Sequence, residues 1–391
     1  MPKINENLKC IESDNSFIKV MKLSKKYKNA HPDKEVISLS IGDVTLPIPE
    51  KVVNVMNEAL DLQKNKNTFK GYGDSSGYDF LKEKILKNEY KGNNFTTGEI
   101  YISNGTKTDC INILELFSED STILISDIAY PIYLNGSLVL NRKIHTMPLN
   151  ESDNFIPQVP KGHYDIIYLC NPNNPIGNAY SYEDLSNWVN YAKKENAVII
   201  YDNVYEDFIC DNLPHSIYEI DGAKEVAIEF RSFSKSLSFS GIRCSYYIIP
   251  KEIYPGINKL WKERTINRFN GVNYITQIGA SAFYDEAVQK EVKKNINYYL
   301  ENAKILKEGF IKAGFKIWGG NNAPYLWVKI KENMTSWKIF DKYLHELNVI
   351  ITPGIIFGIP GDKYFRISAL GTRENAIKAV ERITKHYEKE N

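Results

Sequence analysis

The stretch Ser232-Phe-Ser-Lys235-Ser-Leu-Ser-Phe-Ser-Gly-Ile-Arg243 sets one lysine among hydroxyl side chains, with an arginine eight residues on. A lysine amine attacks a carbonyl only when deprotonated, and burial or a neighbouring cation lowers its pKa enough to allow that. Hydroxyls and a guanidinium on one loop can hold a phosphate dianion, the arginine in bidentate fashion. Lys235 is therefore a candidate Schiff-base lysine, with Ser232 and Arg243 as candidate phosphate ligands. Taken alone, the segment reads as well as a serine-rich surface loop.

Three more motifs bear on chemistry. In Asp202-Asn-Val-Tyr205 a carboxylate ends an apolar run, where burial is costly unless it is paired. A protonated pyridine nitrogen is a suitable partner, one that keeps the ring able to accept electrons, and Tyr205 could reach such a ring's phenolic oxygen. By itself Asp202 reads as a helix cap. Asn171-Pro-Asn-Asn-Pro-Ile-Gly177 is either an ordinary turn or a rigid loop from which Asn174 donates to an anionic oxygen. Ser103-Asn-Gly-Thr-Lys107 offers a small-residue turn at a helix start, where free N–H groups suit a phosphate. Many strand–helix turns look the same.

These motifs need elements to position them. Near-continuous apolar runs at Ile100–Ser103, Thr122–Ser126, Ile166–Cys170, Val198–Asp202, Glu225–Phe233 and Ser245–Ile249 predict strands covered on both faces. Between two of them, Ser181 and Asp184 approximate a capping box that opens a helix running to Asn196. Strand, crossover helix and strand make the unit of a mostly parallel sheet, so the middle of the chain is α/β. Each motif then falls at a strand end, where an open sheet places its ligands. Further on, the pattern predicts a helix over Val288–Ala313, a strand over Tyr325–Lys329 and a helix over Ser336–Leu347. Strand-like runs at Val349–Thr352 and Tyr364–Ala369 and a helix over Arg373–Tyr387 close the chain. The expected division is an arm over residues 1–45 packing with a small domain, a large domain over 46–285 and a small carboxyl-terminal domain over 286–391.

The bulk numbers exclude several classes. With 391 residues, 43% hydrophobic and 25% charged, the composition is that of a soluble globular protein. Lys+Arg 49 against Asp+Glu 48 leaves a net charge of +1, which gives no electrostatic reason for a nucleic-acid or acidic-membrane partner. The polar start MPKINENLKC lacks the apolar core of a signal peptide, and no run nears the ~18 apolar residues of a spanning helix. A cytoplasmic protein is expected. The five cysteines are scattered and the six histidines form no ligand pair, so neither disulfides nor a metal is expected.

Together and in this order, the motifs resemble a fold-type-I pyridoxal-phosphate (PLP) enzyme of the class I/II aminotransferase kind, nearest to the LL-diaminopimelate aminotransferases. The resemblance runs from Lys3-Ile-Asn-Glu-Asn7 through Ile41-Gly-Asp-Val-Thr45, Gly71-Tyr-Gly73 and Phe230-Arg-Ser-Phe-Ser-Lys235. It continues through Asn322-Ala-Pro-Tyr325 to Phe365-Arg-Ile-Ser-Ala369. It implies a large domain with a mostly parallel sheet, a smaller α/β domain, and PLP carried by Lys235, which also moves the substrate proton. It further implies Asp202 on the pyridine nitrogen, Asn174 and Tyr205 on the phenolic oxygen, and Tyr130 stacked on the ring. Thr106, Lys107, Ser232 and Arg243 would hold the phosphate. Tyr72 would reach the phosphate of a neighbouring subunit, implying a homodimer with shared sites. Arg366 would clamp the substrate α-carboxylate close to Gly42.

Departures from the family pattern cluster where its diaminopimelate members read the distal end of the substrate. Ser75 stands where that pattern has a glutamate, and Asn15 where it has a tyrosine. Ile355 and Ile356 replace small residues, Leu237-Ser-Phe-Ser-Gly241 and Asn174-Pro-Ile-Gly177 are altered, and an insertion near residue 145 is absent. A lost carboxylate facing a buried ammonium costs on the order of 2–5 kcal/mol. The expectation is therefore an aminotransferase acting on an amino acid and a 2-oxo acid, with an altered substrate for which Asp74, Lys107 and Asn270 are candidate contacts. Against this, Asp74 could stand in for the missing carboxylate and leave the substrate unchanged. The same fold and lysine also serve PLP-dependent oxidases, cyclases and eliminating enzymes acting on amino acids such as arginine. A transcription regulator built on this fold would need a DNA-binding extension, for which the chain has no spare length or basic segment.

Overall fold

The computed structural model describes residues 2–11, 16–40 and 42–388. The chain begins with α1 (Phe17–Ala30), β1 (Ile37–Ser38), α2 (Glu50–Asp61), α3 (Asp79–Glu89), β2 (Ile100–Ser103) and α4 (Thr106–Asn112). Next come β3 (Thr122–Ser126), α5 (Pro131–Val139), β4 (Lys143–Met147), β5 (Ile166–Cys170), α6 (Tyr182–Glu195) and β6 (Val198–Asp202). They are followed by β7 (Ala227–Ser232), α7 (Phe233–Ser236), β8 (Ser245–Ile248), α8 (Ile257–Arg268), α9 (Tyr274–Ser281) and α10 (Glu286–Lys312). The last elements are β9 (Ile317–Gly319), β10 (Tyr325–Lys329), α11 (Ser336–Lys342), β11 (Val349–Ile350), β12 (Thr352–Pro353), β13 (Tyr364–Ser368) and α12 (Arg373–Glu388).

Seven strands form the large sheet in the order β2-β8-β7-β6-β5-β3-β4. Strands β7, β6, β5, β3 and β4 run parallel, and β8 lies antiparallel to both of its neighbours. Both faces of this sheet are covered, which is why its strands read as unbroken apolar runs. In β5 the period of two is still visible. Ile167 and Leu169 join a core with Trp188 of α6, while Ile166, Tyr168 and Cys170 join a core with Trp261 of α8. Helix α6 starts on a closed capping box: Ser181 Oγ accepts from the Asp184 N–H at 3.1 Å, and the Asp184 carboxylate accepts from the Ser181 N–H at 2.9 Å. A cap of this kind contributes about 1 kcal/mol.

A second core surrounds the antiparallel sheet β12-β13-β10-β9 and brings together residues of α1, α10, α11 and α12. Here β1 pairs parallel with β11, Ile37 opposite Val349, so the amino-terminal segment packs on carboxyl-terminal elements.

The sheet edges depart from the sequence expectation. Strand β4 was not legible, because Lys-Ile-His-Thr-Met is a half-exposed edge strand with only Met147 buried. The run Val349–Thr352 serves two different sheets and breaks at Ile351. The run at 225–233 is shorter than expected: Glu225 ends a preceding turn and Phe233 already starts α7.

Candidate active site

At the carboxyl ends of β5, β6 and β7 a cavity of about 350 Å³ opens toward the second core. Strand register creates it. Cys170 pairs with Asp202 and Asp202 with Phe230, so the segments leaving these strands start side by side. Thr106, Lys107, Tyr130, Asn174, Asp202 and Tyr205 line the cavity together with Ser232, Lys235 and Arg243. From the other side come Gly42 and Arg366.

Lys235 sits in the single turn α7, whose start is capped by Ser232 Oγ accepting from the Ser234 N–H at 3.1 Å. Its Nζ donates to the Gly42 carbonyl at 2.6 Å and lies 3.8 Å from Asp43. Burial lowers its pKa to about 8; Asp43 opposes the shift, and Arg366 and Arg243 add to it. An amine so placed is free of its proton far more often than a surface lysine.

Asp202 is 8% exposed. Its Oδ2 accepts from the Tyr133 hydroxyl, while Oδ1 is buried without a hydrogen-bond partner. Burial raises its pKa to about 6 despite the hydrogen bonds from Tyr133 and the Val204 backbone. No cation among the described residues pairs with it.

Arg366, on β13, is the complementary case. Nη1 donates to Asn174 Oδ1 at 2.8 Å and Nη2 to the Ser40 carbonyl at 3.3 Å, while Nε has no partner. The guanidinium lies over the rings of Tyr325 at 4.4 Å, Phe357 at 5.0 Å and Phe17 at 5.6 Å. Aromatic faces thus do part of the work of a counter-anion, and burial lowers its pKa. Tyr325 also shares a 2.7 Å hydrogen bond with Tyr205.

Near the mouth, Arg243 holds a left-handed backbone (φ +73°) and donates from Nη1 to the Ser240 carbonyl at 2.8 Å. Gly105 faces it at φ +147°, a backbone conformation that favours glycine, and a Cβ there would displace the guanidinium. Beside it the Thr106 hydroxyl is buried with no partner.

Other candidates do not join the cavity of their own chain. Tyr72 is 89% exposed, Asn270 is exposed, and Ser75 packs beside Gly271. Asn15 lies outside the described residues. Ile356 packs in the second core, and neither it nor Ile355 lines the cavity; Phe357, on the same turn, reaches Arg366 instead. Asp74 is engaged by its own turn: its Oδ1 accepts from the Ser76 N–H at 2.7 Å and the Ser76 hydroxyl at 2.6 Å. Lys262 is 3.7 Å away, and Lys82 reaches Ser76 Oγ at 2.7 Å. Sequence reasoning missed Tyr133, Tyr325, Phe17 and Ser40. Tyr325 closes a motif quoted above, and its only signal was its place beside Ala-Pro in a turn; Tyr133 carried none.

The family description "Aminotransferase class I and II" matches residues 34–383. The chain belongs to this family. It is 42% identical over 406 residues to an LL-diaminopimelate aminotransferase of Parabacteroides distasonis, covering 98% of this chain and 99% of that protein. It is 43% identical to one of Prochlorococcus marinus, with 98% and 99% covered. Among solved structures, the L,L-diaminopimelate aminotransferase of Chlamydomonas reinhardtii superposes with a TM-score of 0.93 at 34% identity, with 99% of each chain covered. The fold is that of the fold-type-I aminotransferases, the activity is aminotransfer, and the cofactor is PLP.

Proposed function

We propose that the α-amino group of an amino acid other than LL-diaminopimelate is transferred to a 2-oxo acid in this cavity, with Lys235 as the residue that carries PLP and moves the substrate proton. The observation that carries the reading is a pair of charges unsatisfied among the described residues, Asp202 without a cation and Arg366 without an anion, in the cavity that holds a lysine of lowered pKa.

The residues fit the cofactor. Asp202 Oδ1 is a free buried acceptor suited to a protonated ring nitrogen. Tyr205 and Asn174 supply groups for a phenolic oxygen, and Tyr130 an aromatic face. Thr106, with its unpartnered hydroxyl, would hold the phosphate together with Lys107, Ser232 and Arg243. When bound, PLP supplies an electron sink that makes the substrate Cα–H acidic. Arg366 would then hold the α-carboxylate in bidentate fashion, close to Gly42, whose Cα side faces the Tyr325 hydroxyl and the Arg366 guanidinium. Burial keeps the Lys235 amine available to take the proton from Cα and return it.

The altered substrate is supported by the charges near the Ser75 turn. Ser75 brings no carboxylate, Asp74 is tied to Ser76 through Oδ1 and faces Lys262 at 3.7 Å through Oδ2, and Lys82 is a second cation beside the turn. A distal ammonium would have to compete there with Lys262 for the Asp74 carboxylate. Asp202 is the one carboxylate lining the cavity among the described residues.

We also infer a homodimer with shared sites. Tyr72 and Phe69 stand largely exposed, as do Ile4, Ile18 and Met21 near the amino terminus. No described helix is long and apolar enough to cross a membrane, and the proposed location is the cytoplasm. Mixing inactive Lys235→Ala and Tyr72→Phe chains should restore one complete site per hybrid dimer. A fully active monomer in sedimentation at assay concentration would refute sharing.

The substrate reading is tested by an amino-donor screen that measures 2-oxo acid release. The expected result is a kcat/KM for LL-diaminopimelate at least about tenfold below that of the best donor. Preference for LL-diaminopimelate over every other donor would sink it.

A further inference from the structure

The two oxygens of Asp202 meet different surroundings: Oδ2 takes the Tyr133 hydroxyl, and Oδ1 is buried without a hydrogen-bond partner among the described residues, with the Val204 N–H as the other donor near the carboxylate. Tyr133 comes from the first turn of α5, two residues after Pro131, and not from the loops that carry most of the cavity. It is 2% exposed and its ring is clamped. Tyr168 stacks on it at 5.0 Å and 22°, and Tyr130 meets it edge-on at 6.0 Å and 80°. Tyr168 is itself anchored by donating to the Cys110 carbonyl at 2.5 Å. A ring held on both sides keeps its hydroxyl at one point. A carboxylate held by this hydroxyl, with the Val204 N–H beside it, has the direction of its free oxygen fixed as well.

We propose that Tyr133 is a positioning residue for the cofactor: its hydroxyl locks Asp202 so that Oδ1 faces the ring nitrogen, and favours the ionised carboxylate that keeps that nitrogen protonated. The inference rests on the role given to Asp202 above. Its physical basis is that a donor on a buried carboxylate stabilises the charged form, and no cation among the described residues does so. One hydrogen bond to a charged group corresponds to about tenfold or more in a binding constant.

The test compares PLP with its analogue carrying CH in place of the ring nitrogen. Both are titrated into protein stripped of cofactor, in the native form and as Tyr133→Phe and Tyr168→Phe, with affinity as the readout. Native protein should prefer PLP. Tyr133→Phe should reduce that preference about tenfold with little change toward the analogue, and Tyr168→Phe should leave it intact. Equal weakening of both ligands by Tyr133→Phe would assign the tyrosine to packing alone, and an unchanged preference would remove it from the site; either result overturns the proposal. Absence of any preference in the native protein would instead overturn the reading of Asp202. Should Tyr133→Phe fail to fold, 3,5-difluorotyrosine at position 133 keeps the shape and donates more strongly. The preference for PLP should then rise, and a fall or no change counts against the proposal.

Discussion

Arg231 and Ser232 are neighbours at the end of β7, yet they border two differently finished regions. Arg231 is ringed by Glu89 at 3.0 Å, Glu206 at 3.2 Å and Glu229 at 3.5 Å. Glu229 is satisfied further by Tyr90 at 2.9 Å, Ser216 at 2.8 Å and Asn203 at 2.6 Å. Ser232 borders the cavity, where among the described residues Asp202 has no cation and Arg366 no anion. Both regions bury charge. One sets its arginine among carboxylates, with only Nε lacking a hydrogen bond; the other leaves its charges without counter-ions around a shared space. Burying an ion without a partner costs several kcal/mol, so a fold tolerates it where a ligand completes the set. The closed cluster also ties the site's supports together, because Glu206 follows Tyr205 and Arg231 precedes Ser232.

The sharpest way to break this contrast is to open the closed region. Arg231→Met leaves several carboxylates buried without their cation, and should destabilise the cofactor-free protein by about 3–5 kcal/mol. Denaturant unfolding measures it, and a loss below about 1 kcal/mol would mean that the cluster is not the structural tie described here. The opposite outcome is expected in the cavity. Asp202→Asn should stabilise the cofactor-free protein by on the order of 2–3 kcal/mol at pH 8 while weakening PLP binding. The sign follows from the raised folded-state pKa. Between the ordinary value of 3.8 and about 6 the folded protein holds the Asp202 proton more tightly than the unfolded chain, so native stability from this group falls as pH rises through that window. The gap between variant and native should therefore close as pH is lowered below about 4, and a gap independent of pH would contradict it.

How much of this was legible beforehand differs between the two regions for a physical reason. The cavity residues lie in short motifs at strand ends, where backbone geometry fixes which side chain faces the ligand. Asn174, Asp202, Tyr205, Lys235 and Arg243 accordingly come together at one place. The buried strands were legible because sheets covered on both faces need continuous apolar runs, and the edge strand β4 was not because it needs none. The Arg231 cluster draws on α3, the segment after β6, and β7, which are remote in sequence, and no spacing rule links Glu89 to Arg231. Tyr133 escaped for the same reason: its partner Asp202 is 69 residues away.

Arg366→Ala probes the second open charge. Removing a clamp on the α-carboxylate should raise KM for the amino acid by roughly ten- to a hundredfold, the equivalent of about 1.5–3 kcal/mol, with PLP affinity little changed. Lost cofactor with unaltered substrate affinity would move Arg366 to the phosphate.

The smallest expected effect concerns a charge that is missing. If a second copy completes the cavity through the Tyr72–Ser75 segment, a carboxylate added there faces the partner's substrate and not its own chain's Asp202. Ser75→Glu should then improve kcat/KM for a donor with a distal ammonium relative to the native enzyme's best donor. Full recovery is not expected, because Lys82 and Lys262 flank the same turn and compete for the new charge. A gain of about three- to tenfold corresponds to about 0.7–1.4 kcal/mol, the size of a charge pair partly exposed to solvent. Adding Lys262→Ala, which removes the more exposed competitor, should enlarge the gain. If Ser75→Glu instead lowers activity equally for every donor, the turn acts on the cavity through packing, and the open set of charges is completed by the cofactor and substrate alone.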